Sequence, residues 1–181
     1  MKRAILVPAI LLIGSLSGGN ADAAIGIESE TLTFLNKGYH GSVWYGSGGK
    51  RIRFVYSRVT FPEAFSPEGF TNLTARFKEF EFDFFVGEKR DDFRGLWIAV
   101  GGGRTDMSIE SKTTGATATI STNDFHTGTG YAAPIANNFY VNPWIGADVH
   151  LNAPDNVQVG TETWHPRKVD LVGGIKLGFD F

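Results

Sequence analysis

The chain has 181 residues, 23 glycines, 15 phenylalanines, no cysteine and a formal net charge of −2. This length suits one domain, and the lack of cysteine excludes disulfides, thiolate metal sites and a thiol nucleophile. The nearly balanced charge argues against a nucleic-acid partner, and the many aromatic residues favour β structure over helix.

Residues 1–23 have the pattern of a secretory signal peptide. Lys2 and Arg3 precede an apolar run of 13 residues, and an Ala-x-Ala site ends at Ala23. A membrane-spanning helix needs about 20 apolar residues, so this run is too short to be one. We expect cleavage after Ala23, which leaves residues 24–181 as the single folded domain.

Residues 25–35 allow two interpretations. Hydrophobic alternation is poor from Glu28 to Leu35, and Ser29 followed by Gly38 also fits a short capped helix. We favour a strand here, because the later segments indicate a barrel and bacterial single-chain barrels have even strand numbers.

Seven later segments alternate apolar and polar residues, as a strand does when its two faces meet different surroundings. They span 39–45, 51–60, 73–86, 94–104, 122–133, 138–152 and 168–181. Alternating segments of roughly ten residues separated by turns are typical of transmembrane barrels. We therefore predict an all-β fold, an eight-stranded antiparallel up-and-down transmembrane β-barrel.

The charged residues indicate which face of the strands points inward. Glu79, Glu81 and Asp83 alternate with phenylalanines, and Arg51 and Arg53 share one face of the preceding segment. These charges suit a polar barrel interior with the apolar face turned to lipid, and they would line a dry ligand pocket poorly. A soluble periplasmic β-barrel that binds an apolar ligand is the alternative.

The connections between segments alternate in length. Those at 46–50, 87–93 and 134–137 are short, and those at 61–72, 111–121 and 153–167 are long. Outer-membrane barrels have short periplasmic turns and longer external loops. The alternation therefore predicts that loop 153–167 is external.

The final segment ends Leu177-Gly178-Phe179-Asp180-Phe181, and Gly130-Tyr131 precedes Asn142-Pro143-Trp144-Ile145-Gly146. With these stretches and its signal peptide, the chain resembles the small Gram-negative outer-membrane β-barrels, the group around outer membrane proteins W and X. The resemblance implies a place in the cell outer membrane, in contact with its lipid and lipopolysaccharide. It also implies that Leu177, Phe179 and Phe181 are the signal for the barrel-insertion machinery. It implies no particular biochemical activity.

The interior of an eight-stranded barrel is just wide enough to be filled by side chains, which argues against an open general pore. Buried charges must then have partners. Pairing 51–60 with 73–86 places Arg53 opposite Glu81 and Arg51 opposite Asp83. We predict a stabilising interior ion-pair network, with a proton or ion path as the functional alternative. Its expected members are Arg51, Arg53, Glu79, Glu81 and Asp83.

A second titratable group points inward from the last three predicted strands. It comprises Asp124, His126, Asp148, His150 and Asp170. Histidines and carboxylates together fit a metal site or the base and orienter of a hydrolase, so His126, His150 and Asp170 are catalytic candidates. Lipid A deacylases, which are barrels of this size, carry His-x-Ser-Asn, whereas this chain has Thr127 and Gly128 after His126. The nucleophilic serine is missing there, and we favour a structural role.

We therefore expect a small integral outer-membrane barrel with a structural, surface-contact or small-solute role, and without a metal or cofactor. We expect it to be a monomer and favour a non-enzymatic function. A lipid A acyl-chain-modifying enzyme of the deacylase kind is the enzymatic alternative. Basic residues expected near the external rim suit lipopolysaccharide phosphates; they are Arg58, Arg76, Lys78, Arg167 and Lys168.

Overall fold

The computed structural model describes residues 23–181. The predicted signal peptide, residues 1–23, lies outside the described residues except for Ala23. Eight antiparallel strands close into a barrel in which each strand pairs with the next, and the first pairs with the last. The predicted fold class is confirmed. Within residues 23–181, no helix is long and apolar enough to cross a membrane.

The barrel strands are joined by connections that hold only short elements. The barrel strands are β1 (Ala24–Glu30), β2 (Tyr39–Ser47), β3 (Lys50–Thr60), β4 (Phe70–Phe85), β5 (Gly95–Ser111), β6 (Thr117–Ala136), β7 (Phe139–His150) and β10 (Val169–Asp180). Between β7 and β10, β8 (Val157–Val159) and β9 (Glu162–Trp164) form a separate hairpin. The helix α1 is Thr31–Leu35, and 3-10 turns occupy Glu63–Phe65 and Arg90–Asp92.

The outer face of the barrel is apolar and the inner face is polar. Phe80 and Phe82 are 57% and 51% exposed, whereas Glu81 and Asp83 are 3% and 0% exposed. Because side chains alternate faces along a strand, the same division continues around the barrel. Other outward apolar residues are Ile27, Val43, Ile52, Phe54, Leu96, Ile98, Val100, Phe125, Ile145, Ile175 and Leu177. The predicted polarity is confirmed, and it is the reverse of what the alternative, a soluble barrel with an apolar interior, would require.

The two ends of the barrel differ in their connections. The turn end carries connections 48–49, 86–94 and 137–138, and the loop end carries 31–38, 61–69, 112–116 and 151–168. The predicted alternation of short and long connections is wrong in two places. Connection 112–116 is short, because β5 and β6 continue to pair beyond the apolar face through serine and threonine residues. Connection 86–94 is as long as connection 61–69, and near its end Phe93 packs inside the barrel.

Residues 25–35 combine the two interpretations considered from the sequence. The strand β1 ends at Glu30, and the helix α1 begins directly at Thr31. The prediction of a strand is therefore correct for the first half of this segment and wrong for the second. The number of barrel strands is even, as expected.

The hairpin of β8 and β9 covers part of the loop end. Its Val159 and Trp164 pack against Phe70, Met107 and Ile109 of the extended β4 and β5. At this end, one exposed ion pair links connections 61–69 and 112–116, and another lies within connection 151–168. Lys112 lies 2.5 Å from Glu63, and Lys168 lies 2.8 Å from Asp155. The hydrogen bond from each ammonium holds the pKa of its partner carboxyl below the ordinary value.

Candidate functional site

Aromatic side chains fill the barrel at the turn end. We call this group the aromatic plug; its members are Trp44, Phe85, Phe93, Trp97 and Tyr140. Phe93 comes from connection 86–94, is 2% exposed and has a left-handed backbone with φ of 55°. Its ring centroid lies 5.2 Å from that of Trp44 and 5.7 Å from that of Phe85. The plug thus occupies the barrel interior at the point where the strands enter their turns.

Next to the plug, Arg51 and Arg53 of β3 lie between the carboxylates of β1 and β4. Arg51 Nε is 2.5 Å from Asp83 Oδ2, and its Nη1 is 3.1 Å from Glu28 Oε1. Arg53 Nη1 is 2.7 Å from Glu28 Oε2, and its Nη2 bonds to Glu81 and lies 3.0 Å from Asp83 Oδ1. All five residues are buried. We call them the charge layer, in which each buried charge has at least one partner of opposite sign.

Glu28 is the member of the charge layer that sequence reasoning missed. It accepts from both arginines, and Tyr140 Oη and Asn142 Nδ2 donate to its Oε1 at 2.8 and 3.1 Å. The strand that carries it is short and alternates poorly, so no local pattern indicates an inward carboxylate. The one sequence signal is the alternation of Ile25 and Ile27 with Gly26 and Glu28, which is too short to indicate a face or a register.

The structure corrects the expectation that Glu79 belongs to this network. Glu79 points inward, but within residues 23–181 it forms no ion pair with Arg51 or Arg53. Its register partners are Val55 on β3 and Gly103 on β5, one inward position further from the plug than the pair of Arg53 and Glu81. Residue spacing along β4 therefore separates Glu79 from the arginines.

Between the charge layer and the loop end lies a cavity of about 610 Å³, which we call the upper cavity. Its polar wall comprises Glu30, His40, Glu79, Glu81, His126, Asp148, His150, Asp170 and Lys176. Its apolar wall includes Val55, Val59, Phe61, Leu73, Ala75, Phe77, Met107 and Trp164. Exposed residues of connections 61–69 and 151–168, such as Phe65 and Arg167, form its rim. The upper cavity therefore opens at the loop end.

The predicted catalytic candidates form two separate histidine–aspartate pairs. His126 Nδ1 lies 2.6 Å from Asp148 Oδ1. His150 Nδ1 lies 2.6 Å from Asp124 Oδ1, and its Nε2 lies 3.1 Å from Asp170 Oδ2. Both ring nitrogens of His150 are thus hydrogen-bonded to carboxylates, so neither is free to take a proton from a nucleophile.

No catalytic hydroxyl completes either pair in the described part of the chain. Thr122 Oγ1 donates to Asp124 Oδ1 at 2.7 Å, so this hydroxyl near His150 is already engaged. Ser42 and His40 bond to backbone groups of β1 rather than to each other. Among residues 23–181, no cluster of three histidine or carboxylate side chains has the geometry of a metal site. The arrangement is that of paired interior side chains.

The three predicted insertion-signal residues lie at the turn end of the final strand. Leu177 is exposed on the outer face of β10. The Phe179 ring centroid lies 4.7 Å from that of Phe139 and 5.0 Å from that of Phe181. Together they form an apolar stripe that continues the outer belt to the turn end of β10.

Two solved structures share this architecture. The N-terminal β-barrel domain of Pseudomonas aeruginosa OprF aligns over 91% of this chain and 99% of that domain, with a TM-score of 0.53 and 14% identity. A major outer membrane protein from Thermus thermophilus aligns over 88% of this chain and 100% of its own, with a TM-score of 0.52 and 10% identity. No protein-family model matches the sequence, and no curated protein matches it. The chain has the fold of the small outer-membrane β-barrels.

Proposed function

We propose that this protein is a small integral barrel of the outer membrane that is closed to general diffusion. It is exported, cleaved after Ala23 and inserted as a monomer. Its role is structural or one of surface contact, and the upper cavity faces the exterior as a site for a small solute.

The combination of an apolar belt and a filled interior carries this proposal. A barrel can span a bilayer because the backbone of every strand is hydrogen-bonded to neighbouring strands on both sides and the outward residues are apolar. Inside, the aromatic plug and the charge layer lie one above the other and fill the barrel between the upper cavity and the turn end, as expected for a barrel just wide enough to be filled by side chains. A solute crossing from end to end would have to displace Phe93 and separate Arg51 and Arg53 from their carboxylates. The fold shared with the Thermus outer membrane protein supports the location.

Basic side chains on the outer face support contact with lipopolysaccharide. We call Arg58, Arg76, Lys78 and Arg104 the basic surface ring; all four are exposed. Arg58 pairs in register with Arg76, and Lys78 pairs with Arg104, just beyond the outward Phe54 and Phe80 toward the loop end. Guanidinium and ammonium groups bind phosphate through charge-assisted hydrogen bonds. Sequence reasoning missed Arg104, because its strand reads as a glycine-rich segment there.

The predicted rim residues Arg167 and Lys168 lie apart from the basic surface ring. Both belong to connection 151–168, and each is near an aspartate: Arg167 Nη1 is 3.8 Å from Asp170, and Lys168 contacts Asp155. The positive charges of Arg167 and Lys168 are thus partly neutralised by these nearby aspartates. In the basic surface ring, Arg104 Nε lies 3.5 Å from Asp106 Oδ1, but the other three members form no ion pair within residues 23–181. The basic surface ring is therefore the better candidate for lipopolysaccharide phosphates.

The proposal is tested with the chain folded in detergent and then in planar bilayers. We expect unheated protein to migrate differently from boiled protein in a denaturing gel, because a closed barrel resists the detergent. We also expect no stable conductance steps, because the plug and the charge layer close the interior. A soluble, detergent-free protein contradicts the proposed location, and sustained open-pore conductance contradicts closure.

A further inference from the structure

Glu79 lies on the polar wall of the upper cavity with one oxygen unpartnered. The residue is 5% exposed, and its Oε1 is buried without a hydrogen-bond partner among residues 23–181. Buried polar atoms in folded proteins nearly always have a partner, and a buried carboxylate without a cation is costly. Glu79 therefore marks a position in the cavity where a cationic hydrogen-bond donor would be favourable.

The other carboxylates around Glu79 already have partners. The contacts are Glu81 with Arg53, Asp148 with His126, and Asp170 with His150. Glu79 interacts electrostatically with Asp148 and Glu81, which have the same sign of charge. The imidazole nearby, that of His126, is bonded to Asp148 at 2.6 Å. The immediate surroundings of Glu79 thus lack a free cation within the described residues.

Lys176 does not supply the missing partner. Its ammonium lies 4.1 Å from the centroid of the Trp144 ring, and it interacts electrostatically with the three carboxylates of the charge layer. Counting Lys176, that layer has three cations for three carboxylates, so it is balanced without Glu79. Glu79 is therefore the carboxyl group on this wall that the balance leaves out, and a cationic donor entering the upper cavity would stabilise its ionised form.

We propose that the upper cavity binds an amphipathic monocation, an apolar body that carries one ammonium group. The ammonium pairs with Glu79, and the body lies along the apolar wall beside Val55, Phe77, Met107 and Trp164. The charge selects a cation over a neutral molecule or an anion, and the apolar wall selects an amphiphile over a hydrated metal ion. The volume of about 610 Å³ is within the range of roughly 300–1,000 Å³ for small-molecule sites.

This inference rests on the proposed function only for the side of the membrane from which the ligand enters. The binding itself is a property of the folded barrel in any bilayer. It is therefore measured on the full chain in nanodiscs of phosphatidylcholine, whose headgroups carry no net charge. Empty nanodiscs correct for partition of the probe into lipid.

The probes are hexylammonium, 1-hexanol and hexanoate, which share one alkyl chain and differ in charge. We expect calorimetric titration to show saturable binding of hexylammonium, at least tenfold weaker binding of hexanol and no binding of hexanoate. Glu79→Gln keeps the shape of the side chain and removes its charge. The Glu79→Gln substitution should weaken the binding of hexylammonium at least tenfold and leave the affinity for hexanol unchanged. Glu88→Gln, at an exposed position of connection 86–94, is the matched control and should bind like the original chain.

Equal affinities of the original chain and Glu79→Gln for hexylammonium overturn the proposal, as do equal affinities of the original chain for hexylammonium and hexanol. Absence of saturable binding overturns it as well. Val55→Trp, which fills the cavity, should abolish binding, and retained binding would place the site elsewhere. The heat-dependent gel shift verifies folding of each variant. If Glu79→Gln does not fold, the probe comparison on the original chain still decides. Open-pore conductance would contradict the proposed function without changing these titrations.

Discussion

Arg53 shows how one buried side chain organises the polar interior. Its guanidinium contacts Glu28, Glu81 and Asp83 and lies 5.4 Å from the centroid of the Trp97 ring. It therefore joins β1 to β4 through β3. Without its charge, the three carboxylates would share only Arg51 and the more distant Lys176.

We expect Arg53→Gln to lower the free energy of unfolding by about 3–5 kcal/mol, because breaking a buried ion pair leaves a buried charge uncompensated. Urea unfolding in lipid vesicles, followed by tryptophan fluorescence, measures the change. Arg104→Gln is the control: that side chain is 61% exposed, and its loss should cost less than about 1 kcal/mol. Equal costs for the two variants would show that the charge layer does not stabilise the barrel.

The sequence could predict that Arg53 lies opposite Glu81, but it could not predict that Glu28 is a further partner of Arg53. The first two residues lie on adjacent strands with strong alternation, so the hairpin register follows from the hydrophobic pattern. Glu28 reaches them only because the first and last strands close the ring, and this closure is a non-local contact. Glu79 lies one inward position beyond Glu81 on β4, and both arginine side chains turn instead to Glu28 and Asp83. The sequence does not show in which direction these side chains turn.

The strand β1 has the fewest backbone pairings in the barrel. It shares five register pairs with β10 and five with β2, whereas β5 and β6 share sixteen. Its Glu28 accepts four hydrogen bonds from side chains of β3 and β7. Side-chain contacts thus hold this strand where the backbone ladder is shortest.

Glu28→Gln should therefore loosen the closure between β1 and β10. We expect amide hydrogen exchange in these two strands to become at least tenfold faster, while the amides of β5 and β6 keep their rates. Mass spectrometry of peptide fragments after exchange measures this. Glu88→Gln should change none of these rates. A uniform acceleration in all strands would indicate general destabilisation instead of a local role.

Connection 86–94 places Phe93 in the aromatic plug, so this turn contributes to the interior. We expect Phe93→Ala to cost about 3–5 kcal/mol of unfolding free energy, as for other buried phenylalanines. Conductance should stay absent, because the charge layer still closes the barrel. Phe65→Ala, at an exposed position, is the control for stability. Conductance appearing in Phe93→Ala would show that the plug alone closes the barrel.

The sequence could predict the strands more fully than the connections. Threonine and serine at residues 117–122 fit a polar loop as well as a strand outside the apolar belt, so the sequence pattern places the start of β6 too late. The strands β8 and β9 have three residues each, which is too short for a periodic pattern. Phe93 occupies the plug because of tertiary packing, and a turn sequence does not indicate such a position.

The complete barrel shows why the architecture was predictable. Alternation predicts the strands, and the charged residues indicate which face is inside, so the polarity follows from local patterns. Closure follows instead from the requirement that strands in lipid leave no unpaired edge. The basic surface ring depends on the same logic, since its members are outward positions just beyond the apolar belt. That its members lie side by side on three strands could be seen only from the register of β3, β4 and β5.

We expect lipopolysaccharide to raise the melting temperature of the folded protein, because its phosphates pair with the basic surface ring. Combined Arg76→Gln, Lys78→Gln and Arg104→Gln substitutions should remove at least half of this rise. The control combines Lys50→Gln, Lys89→Gln and Arg90→Gln, which are exposed at the turn end. If both triple variants respond alike, the contact is not specific to the ring.

The aromatic plug and the rim of the upper cavity lie at opposite ends of the barrel, so the cavity has one opening and is closed at its other end. A molecule held there can escape only through the opening by which it arrived. Its occupancy then follows the concentration on one side of the membrane and is insensitive to the composition of the compartment behind the plug.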